Sequence, residues 1–396
     1  MDGIEQLLTR GVDKIYPSKD ALEKVLRSGK KLKLYEGFDP TGTDLHIGHM
    51  IGLRKLAQFQ KLGHHVIFLI GTGTGQAGDP SGKLFSREKF FSEEELKQNA
   101  KDYVTQAKKL LDFDGPNPVE ILYNGDWLNK LGYSQILEIF GHLTHQQLIE
   151  RDMFQERIKA NSDINIREFI YPILQGYDSV AMDVDLELGG TDQTFNMLVG
   201  RKLQRSINNR EKFVMTTPLL ADSKGTKIGK SEGNVIGLTD KPEDLFGKIM
   251  SLSDDVIVKA MEYLTDIPME EIKEIEEKMK HENPIVYKKK LAYEIVKQLN
   301  SDEDARRAEE AFRSVVQEKT VPLDIPEFNF QSGATVSGTA TANNLVDSNS
   351  EWKRLVSQGA VSVDGKRVEN PFMKNDELPD GGILKIGNRN YARIKK

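Results

Sequence analysis

Short runs rich in β-branched and aromatic residues alternate with helix-period segments through the first half of the chain, and this alternation restricts the fold more than any other feature. Lys33–Phe38, His65–Ile70, 119–123 and 184–188 read as strands. Between the first two, residues 47–62 carry Ile51, Leu53, Leu56 and Phe59 at roughly helical spacing, and 140–157 reads as a further helix. Strand, helix and strand in succession predict a mostly parallel sheet, hence an α/β fold. After residue 239 the pattern turns helical, with i, i+3, i+4 apolar positions in 242–251, 254–264, 269–280 and 284–299.

A break follows at 321–338, whose two prolines, two glycines and several Ser/Thr mark a linker. Beyond it, 342–347 and 351–358 read as short helices. Residues 360–368 read as a hairpin, because Asp364-Gly365 between alternating residues favours a type I′ turn. A chain of 396 residues is too long for one ordinary core. The breaks predict a sheet domain over 1–220, a helical domain over 221–320, the linker, and a small domain over 339–396.

With 38% hydrophobic and 29% charged residues, the composition is that of a soluble globular protein. No basic segment followed by an apolar stretch opens the chain, so no signal peptide is expected, and Val66-Ile67-Phe68-Leu69-Ile70 is far too short to span a bilayer. The absence of cysteine excludes disulfides and thiolate metal sites and fits a reducing, cytoplasmic setting. The net charge of −6 is unevenly spread: residues 327–396 hold 10 Lys+Arg against 8 Asp+Glu, leaving 45 against 53 on residues 1–326. From Leu384 to Lys396 there are five basic residues (Lys385, Arg389, Arg393, Lys395, Lys396) and no acidic one. Such an end is either an RNA footprint or a solvated tail.

Three stretches carry chemistry. In the first, strand 33–38 runs through Gly37, Asp39 and Thr41 into His46-Ile47-Gly48-His49 at a helix start, where free N–H groups and the helix dipole suit phosphate. Two imidazoles three residues apart face the same way, and Gly48 has no side chain to hold off a nucleobase. By residue type alone the pair also fits a surface position or a metal site, the latter needing a third ligand from His64 or His65. In the second, Gly71 to Lys83 nearly matches both a dinucleotide fingerprint and a P-loop but satisfies neither. It reads as a glycine-rich turn at the sheet's C-terminal edge, where backbone approaches a ligand. The third, Asp222 to Ser231, has three lysines, two glycines and several hydroxyls: a solvated surface loop, or a flexible clamp on phosphates.

Together, His46-Ile47-Gly48-His49 and Lys227-Ile228-Gly229-Lys230-Ser231 resemble the two signature motifs of class I aminoacyl-tRNA synthetases, the second departing at its middle two positions. Within the class, Tyr35-x-Gly37-Phe38-Asp39-Pro40-Thr41, Gly78-Asp79-Pro80-Ser81-Gly82-Lys83, Tyr171-x-x-x-Gln175-x-x-Asp178 and Gly189-Gly190-Thr191-Asp192-Gln193 resemble the tyrosine-specific family, and the C-terminal segment is similar to the S4-type RNA-binding domain of bacterial members. The resemblance implies a Rossmann-like catalytic domain, a helical domain meeting the anticodon region, and a homodimer formed through an insertion at about 118–165. It implies ATP, L-tyrosine and tRNA(Tyr) as substrates, with Mg²⁺ arriving on ATP and no protein-only metal site.

The resemblance assigns Asp178 and Tyr35 to the substrate's phenolic OH, and Asp79, Tyr171 and Gln175 to its ammonium. On a helix, positions 171, 175 and 178 share one face, and such polar groups in a core are costly without a partner. Asp192, after a Gly189-Gly190 pair that lets backbone approach, suits ribose hydroxyls, and Gln193 suits the substrate carboxylate. Thr41, His46, His49, Lys227 and Lys230, with Ser231 in support, would stabilise charge on the phosphates, and Lys83 and Arg87 would hold pyrophosphate. Gly37, Asp39, Gly48, Gly190, Asp192 and Lys230 would contact ATP. Three rivals remain: the tryptophan-specific enzyme of the class, a small-molecule nucleotidyltransferase, and a non-catalytic RNA-binding relative.

Overall fold

The strands expected from the alternation assemble into a sheet in the computed structural model, which describes residues 2–81, 90–223, 225, 227–228, 235–314, 325–387 and 390–396. Among these residues, β1 (Lys14–Tyr16), β2 (Lys33–Phe38), β3 (His65–Ile70), β4 (Glu120–Tyr123), β5 (Leu186–Gly190) and β6 (Phe213–Thr217) pair in the order β1-β6-β5-β2-β3-β4. Every pairing is parallel except β1 with β6. The chain runs from β2 through β3 to β4 on one side, then returns to β5 on the other side of β2. The sheet order therefore reverses between β2 and β5, and a crevice opens beyond their C-terminal ends.

Sequence and structure differ at three points here. Strand 184–188 lies two residues later, at 186–190, because Gly189 and Gly190 stay in register with Thr216 and Thr217 instead of ending the strand. Strands β1 and β6 were not anticipated. The single helix expected over 140–157 is three short ones, Tyr133–Gly141, His145–Ile149 and Asp152–Lys159. Thr144 starts the second of these with a capping box to Gln147, a start signal inside what reads as continuous periodicity.

Helices α1 (Ile47–Lys61), α2 (Ile166–Met182) and α3 (Thr194–Asn208) flank the sheet. The two-residue period of β2 sends its side chains to opposite faces. Phe38 stacks on Phe68 at 4.7 Å and meets His49 of α1 edge-on, so its face, shared with Glu36, is the α1 face. Tyr35 clusters with Met182 at the end of α2. Helices α2 and α3 approach closely: a Cβ on Gly176 would lie 3.0 Å from the Gly200 nitrogen.

Helices α4 (Pro242–Met250), α5 (Ile257–Leu264), α6 (Met269–Lys278) and α7 (Ile285–Leu299) follow the apolar periodicity closely and belong, with the sheet, to one unit, Met1–Ala305. Helix α8 (Asp302–Phe312) carries the chain past the unit boundary. Buried Arg10 fastens the helical segment to the sheet layer. Its Nε donates to the Glu262 carbonyl at 2.8 Å and its Nη2 to those of Met261 and Thr265 at 3.1 and 2.7 Å. A guanidinium thereby covers the open carbonyls at the C-terminus of α5, where positive charge is favoured.

The second unit, Arg306–Lys396, builds its own sheet from β7 (Glu327–Asn329), β8 (Val361–Val363), β9 (Lys366–Arg367), β10 (Ile383–Ile386) and β11 (Asn390–Lys395), in the order β7-β11-β10-β8-β9. Helices α9 (Val336–Ala342) and α10 (Asn349–Ser357) complete it, with Trp352 at the centre of its core. Asp364 and Gly365 adopt φ of 47° and 78°, as the expected type I′ turn requires. Residues 327–338, read as linker, are instead built in: β7 pairs with β11, and Phe330 and Val336 are core residues. Residues 321–324 lie outside the described residues. The helix expected at 342–347 ends at Ala342, because Thr335 caps an earlier start by accepting from the Gly338 N–H at 3.2 Å and Asn344 turns the chain with φ 55°. No helix among the described residues is long and apolar enough to cross a membrane.

Arg10→Met leaves three buried carbonyls without their charged donor. Urea unfolding is expected to show a loss of roughly 2–4 kcal/mol, the scale of broken charge-assisted hydrogen bonds. A change below about 0.5 kcal/mol, the size of an ordinary surface substitution, would contradict the docking role.

Candidate active site

A cavity of about 510 Å³ occupies the crevice between the ends of β2 and β5. Its walls collect residues from across the first unit: Tyr35, Gly37, Asp39 and Thr41 from β2 and the turn after it, and His46, Gly48 and His49 from the start of α1. Asp79, the α2 residues Tyr171, Gln175 and Asp178, then Gly190, Asp192 and Gln193, and finally Lys227 complete the candidates it brings together. Lys83, Arg87, Lys230 and Ser231 lie outside the described residues.

The two histidines stack with ring centroids 3.8 Å apart. His46 Nδ1 accepts the Gly48 N–H at 3.2 Å, and His49 Nδ1 accepts the His46 N–H at 3.1 Å. With both Nδ1 atoms accepting, each neutral ring carries its proton on Nε2 and is a donor there. A Cβ on Gly48 would lie 3.0 Å from the His46 ring, so glycine at this position permits the stack. The third ligand that a metal pair would need does not come from the neighbouring histidines. His64 Nδ1 accepts the Leu32 N–H, burial aided by Lys31 holds that ring down to about 4, and His65 pairs with Glu120. Both sit at the start of β3, at the opposite end of the strand from the crevice.

Asp178 is fully buried and its carboxylate is claimed on both oxygens. Asn124 Nδ2 donates to Oδ2 at 2.9 Å and Trp127 Nε1 to Oδ1 at 2.8 Å. Burial nonetheless pushes this carboxyl well above the ordinary range, against the lowering effect of those two donors. The Tyr35 hydroxyl lies 3.0 Å from Ser179 Oγ, and burial, with the charges of Glu187 and Asp178, pushes it up as well. Asn124 and Trp127 went unrecognised in the sequence because each stands far along the chain from Asp178.

Nearer the rim, the Tyr171 hydroxyl donates to Asp39 Oδ2 at 2.9 Å, while Thr74 Oγ1 donates to Oδ1 at 2.6 Å. Gln193 Nε2 donates to Asp79 Oδ2 at 2.9 Å, and Asn196 Nδ2 donates both to Gln193 Oε1 at 2.8 Å and to Gln175 Oε1 at 2.9 Å. Asn196 thus orients two candidate amides with one side chain. Lys227 Nζ donates to Asp192 Oδ2 at 2.8 Å, and a Cβ on Gly190 would lie 2.7 Å from Asp192 Oδ1. The segment after the lysine loop is tied back to the histidine motif, with Ile47 N–H donating to Ile236 O at 2.9 Å and Leu238 N–H to Leu45 O at 3.0 Å.

The glycine-rich turn lines the cavity through Gly71, Thr74, Asp79 and Ser81, but two of its glycines serve packing. A Cβ on Gly73 would meet Leu128 at 2.9 Å and one on Gly75 would meet Leu96 at 2.8 Å. A Cβ on Gly71 would lie 1.9 Å from Asp39 Oδ1. A further unrecognised residue is Glu36, buried on the α1 face. Its Oε2 meets no hydrogen-bond partner among the described residues, and a Cβ on Gly52 would lie 2.2 Å from that oxygen.

A mostly parallel sheet with its crevice at the reversal of strand order, a paired-histidine helix start and Lys227 reaching the crevice are the features of a class I aminoacyl-tRNA synthetase. Residues 27–317 match the family described as tRNA synthetases class I (W and Y). The tyrosine–tRNA ligase of Thermotoga maritima is 42% identical over 98% of this chain and 96% of its own, and that of Mannheimia succiniciproducens is 43% identical over 98% and 97%. A solved C-terminally truncated mitochondrial tyrosyl-tRNA synthetase of Coccidioides posadasii is similar, with a TM-score of 0.63 and 26% identity over 78% of this chain and 92% of that one. The chain belongs to the tyrosine–tRNA ligase family.

Burial raises the Glu36 carboxyl from its ordinary 4.5 to about 8. Between those values the folded chain holds a proton that the unfolded chain has released, so this group's contribution to stability falls as pH rises through the window. The melting temperature of the wild type relative to Glu36→Gln is therefore expected to drop between about pH 5 and pH 8. Parallel melting profiles across that range would show that Glu36 titrates normally.

Proposed function

We propose that this chain activates L-tyrosine with ATP and transfers the tyrosyl group to the 3′ end of tRNA(Tyr). The observation that carries the amino-acid choice is that the buried Tyr35 hydroxyl and Asp178 carboxyl both line the cavity wall, where a substrate phenol can meet them as donor and acceptor, an indole as donor only and a phenyl ring as neither. This favours tyrosine over tryptophan within the class.

In the first step a carboxylate oxygen of tyrosine attacks the α-phosphorus of ATP. The O–P bond forms as the bond to the β-phosphate oxygen breaks, giving tyrosyl-adenylate and pyrophosphate. The carboxylate is already a competent nucleophile, so positioning and charge stabilisation supply the catalysis. Asp79, Tyr171 and Gln175 take the ammonium, Gln193 the carboxylate, and Asp192 the ribose. Gly37, Asp39, Gly48 and Gly190 line the nucleotide's place, and Thr41 and the Nε2–H groups of His46 and His49 meet the phosphates. Lys227, Lys230, Ser231, Lys83 and Arg87 add the remaining donors, and Mg²⁺ enters on the phosphate oxygens of ATP. In the second step a hydroxyl of the tRNA's terminal ribose attacks the acyl carbon, and AMP leaves.

Three further readings accompany this function. A homodimer is supported by exposed large apolar residues concentrated near the 118–165 segment: Tyr133 (77%), Leu137 (51%), Ile158 (51%) and Ile166 (71%). The second unit is read as the S4-like tRNA-binding domain, because Lys385, Arg393 and Lys395 stand on the adjacent strands β10 and β11, and Lys353 lies 4.8 Å over exposed Phe372. A cytoplasmic location fits a cysteine-free chain that charges tRNA.

Asp178→Ala is expected to lower tyrosine-dependent ATP–pyrophosphate exchange far more than phenylalanine-dependent exchange. Discrimination between these two amino acids is an established property of tyrosyl-tRNA synthetases, about 10⁵-fold, and rests on buried groups built for the hydroxyl. Equal losses would assign Asp178 to packing.

Ending the chain at residue 324 removes β7 together with the sheet it joins and leaves every cavity residue in place. The truncated protein is expected to keep tyrosine-dependent exchange and lose most tRNA charging. In the full chain, raising salt should weaken charging much more than exchange, since exposed phosphate contacts are screened. Full charging by the truncated protein would remove the RNA-binding role from the second unit.

A further inference from the structure

At the cavity face that holds Tyr35 and Gln175, with Glu187 in the wall, lies a buried ion pair that the proposed chemistry does not use. Lys212, from the segment entering β6, and Glu187, on β5, are both fully buried and in contact through Lys212 Nζ and Glu187 Oε2. Lys212 Nζ also donates to Ser179 Oγ at 2.7 Å, and Ser179 Oγ lies 3.0 Å from the Tyr35 hydroxyl. On its other oxygen, Glu187 Oε1 accepts from Gln175 Nε2 at 3.1 Å. One carboxylate therefore holds Gln175 directly and Tyr35 through a single serine.

Stability is a poor reason for such a pair. Two charges withdrawn from water regain little more than their desolvation cost, and well-packed apolar residues of the same size generally do as well. Neither residue of the buried Arg157–Glu168 pair, on the helix Asp152–Lys159 and α2, is among the described lining residues of the cavity. The Lys212 cluster differs in its reach and in the room made for it. A Cβ on Gly200 of α3 would lie 2.6 Å from Lys212 Nζ and 3.0 Å from Ser179 Oγ.

The hydrogen-bond capacities fix the direction of effect. An ammonium only donates, so Ser179 Oγ spends one lone pair on Lys212, gives its proton to Glu187 Oε2 at 3.3 Å and keeps one lone pair for the Tyr35 hydroxyl to donate to. Tyr35 is thereby anchored at its hydroxyl, the one atom that a substrate phenol would meet, and not only by its ring.

We propose that Lys212, Glu187 and Ser179 form a positioning relay that fixes the Tyr35 hydroxyl and the Gln175 amide for recognition of the tyrosine substrate. The inference rests on the tyrosine-activating reading above. None of the three touches the reacting atoms. Their effect is on where two ligand-binding groups stand, and so on the choice of tyrosine over phenylalanine.

The test is ATP–pyrophosphate exchange with tyrosine and with phenylalanine, comparing wild type, Ser179→Ala and the double variant Glu187→Gln/Lys212→Met. Ser179→Ala keeps the ion pair and cuts the link to Tyr35, so it remains informative if the double variant folds poorly. Both variants are expected to lower the tyrosine-to-phenylalanine ratio of kcat/KM by roughly tenfold or more, the scale of a charge-assisted hydrogen bond. The change should appear as a raised KM for tyrosine with an unaltered KM for ATP. An unchanged ratio in Ser179→Ala, whatever happens to its melting temperature, would overturn the relay. Wild-type protein without tyrosine-dependent exchange would instead overturn the proposed function on which the relay rests.

Discussion

The side chain of Asn124 closes the crevice, and much of the candidate site depends on it. Its Oδ1 accepts the Gly73 N–H at 2.7 Å, and its Nδ2 divides its two hydrogens between Asp178 at 2.9 Å and Thr74 Oγ1 at 2.8 Å. A single buried amide at the end of β4 thus joins the glycine turn after β3 to the polar face of α2. Thr74, so held, gives its own proton to Asp39, which also receives the Tyr171 hydroxyl. Two separate carboxylates, Asp39 and Asp178, are therefore fixed through one residue. In a low-dielectric interior such a chain rigidifies only when every member is satisfied, and an unpaired member is costly.

What the sequence revealed and what it hid follow from the range of the interactions involved. The α2 face of Tyr171, Gln175 and Asp178 was legible because helical spacing is local, and the helix Ile166–Met182 presents all three to the cavity. The histidine motif was legible for the same reason. Lys212, Glu187, Asn124 and Trp127 were hidden because their roles come from sheet order, which no local period encodes. Strand β6 (Phe213–Thr217) ends at Pro218, a break that the sequence does display, yet it went unread. Gly73 and Gly75 misled for an instructive reason. A glycine needed to admit a leucine and one needed to admit a phosphate look identical in a sequence.

The domain reading shows a related limit. Apolar periodicity located α4 to α7 well, yet it carried no information about what their apolar faces cover. Arg10, near the chain start, and Arg54, on α1, both donate to the carbonyl of Thr265 just past α5, at 2.7 and 2.8 Å. These contacts join helices read as a separate domain to the layer that holds the histidine motif. The boundary instead falls after Ala305, within α8.

The electrostatics of the cavity then decide where catalysis must draw its cations. Its described walls include the carboxyls of Asp39, Asp44, Asp79 and Asp192, beside Glu36 and Asp178, which burial favours in their neutral form, and Glu187, which is paired with Lys212, whereas Lys227 is the one lysine or arginine among the described lining residues. A polyphosphate placed against such a wall would be repelled, and the two neutral imidazoles offer it only dipoles. Lys227 itself is engaged by Asp192, the carboxylate assigned to the ribose. A ribose hydroxyl donating to Asp192 competes for that charge and weakens its hold on the ammonium. On the proposed reading, binding the sugar would release Lys227 towards the phosphates, and Asp192 would hold that lysine paired until a nucleotide arrives.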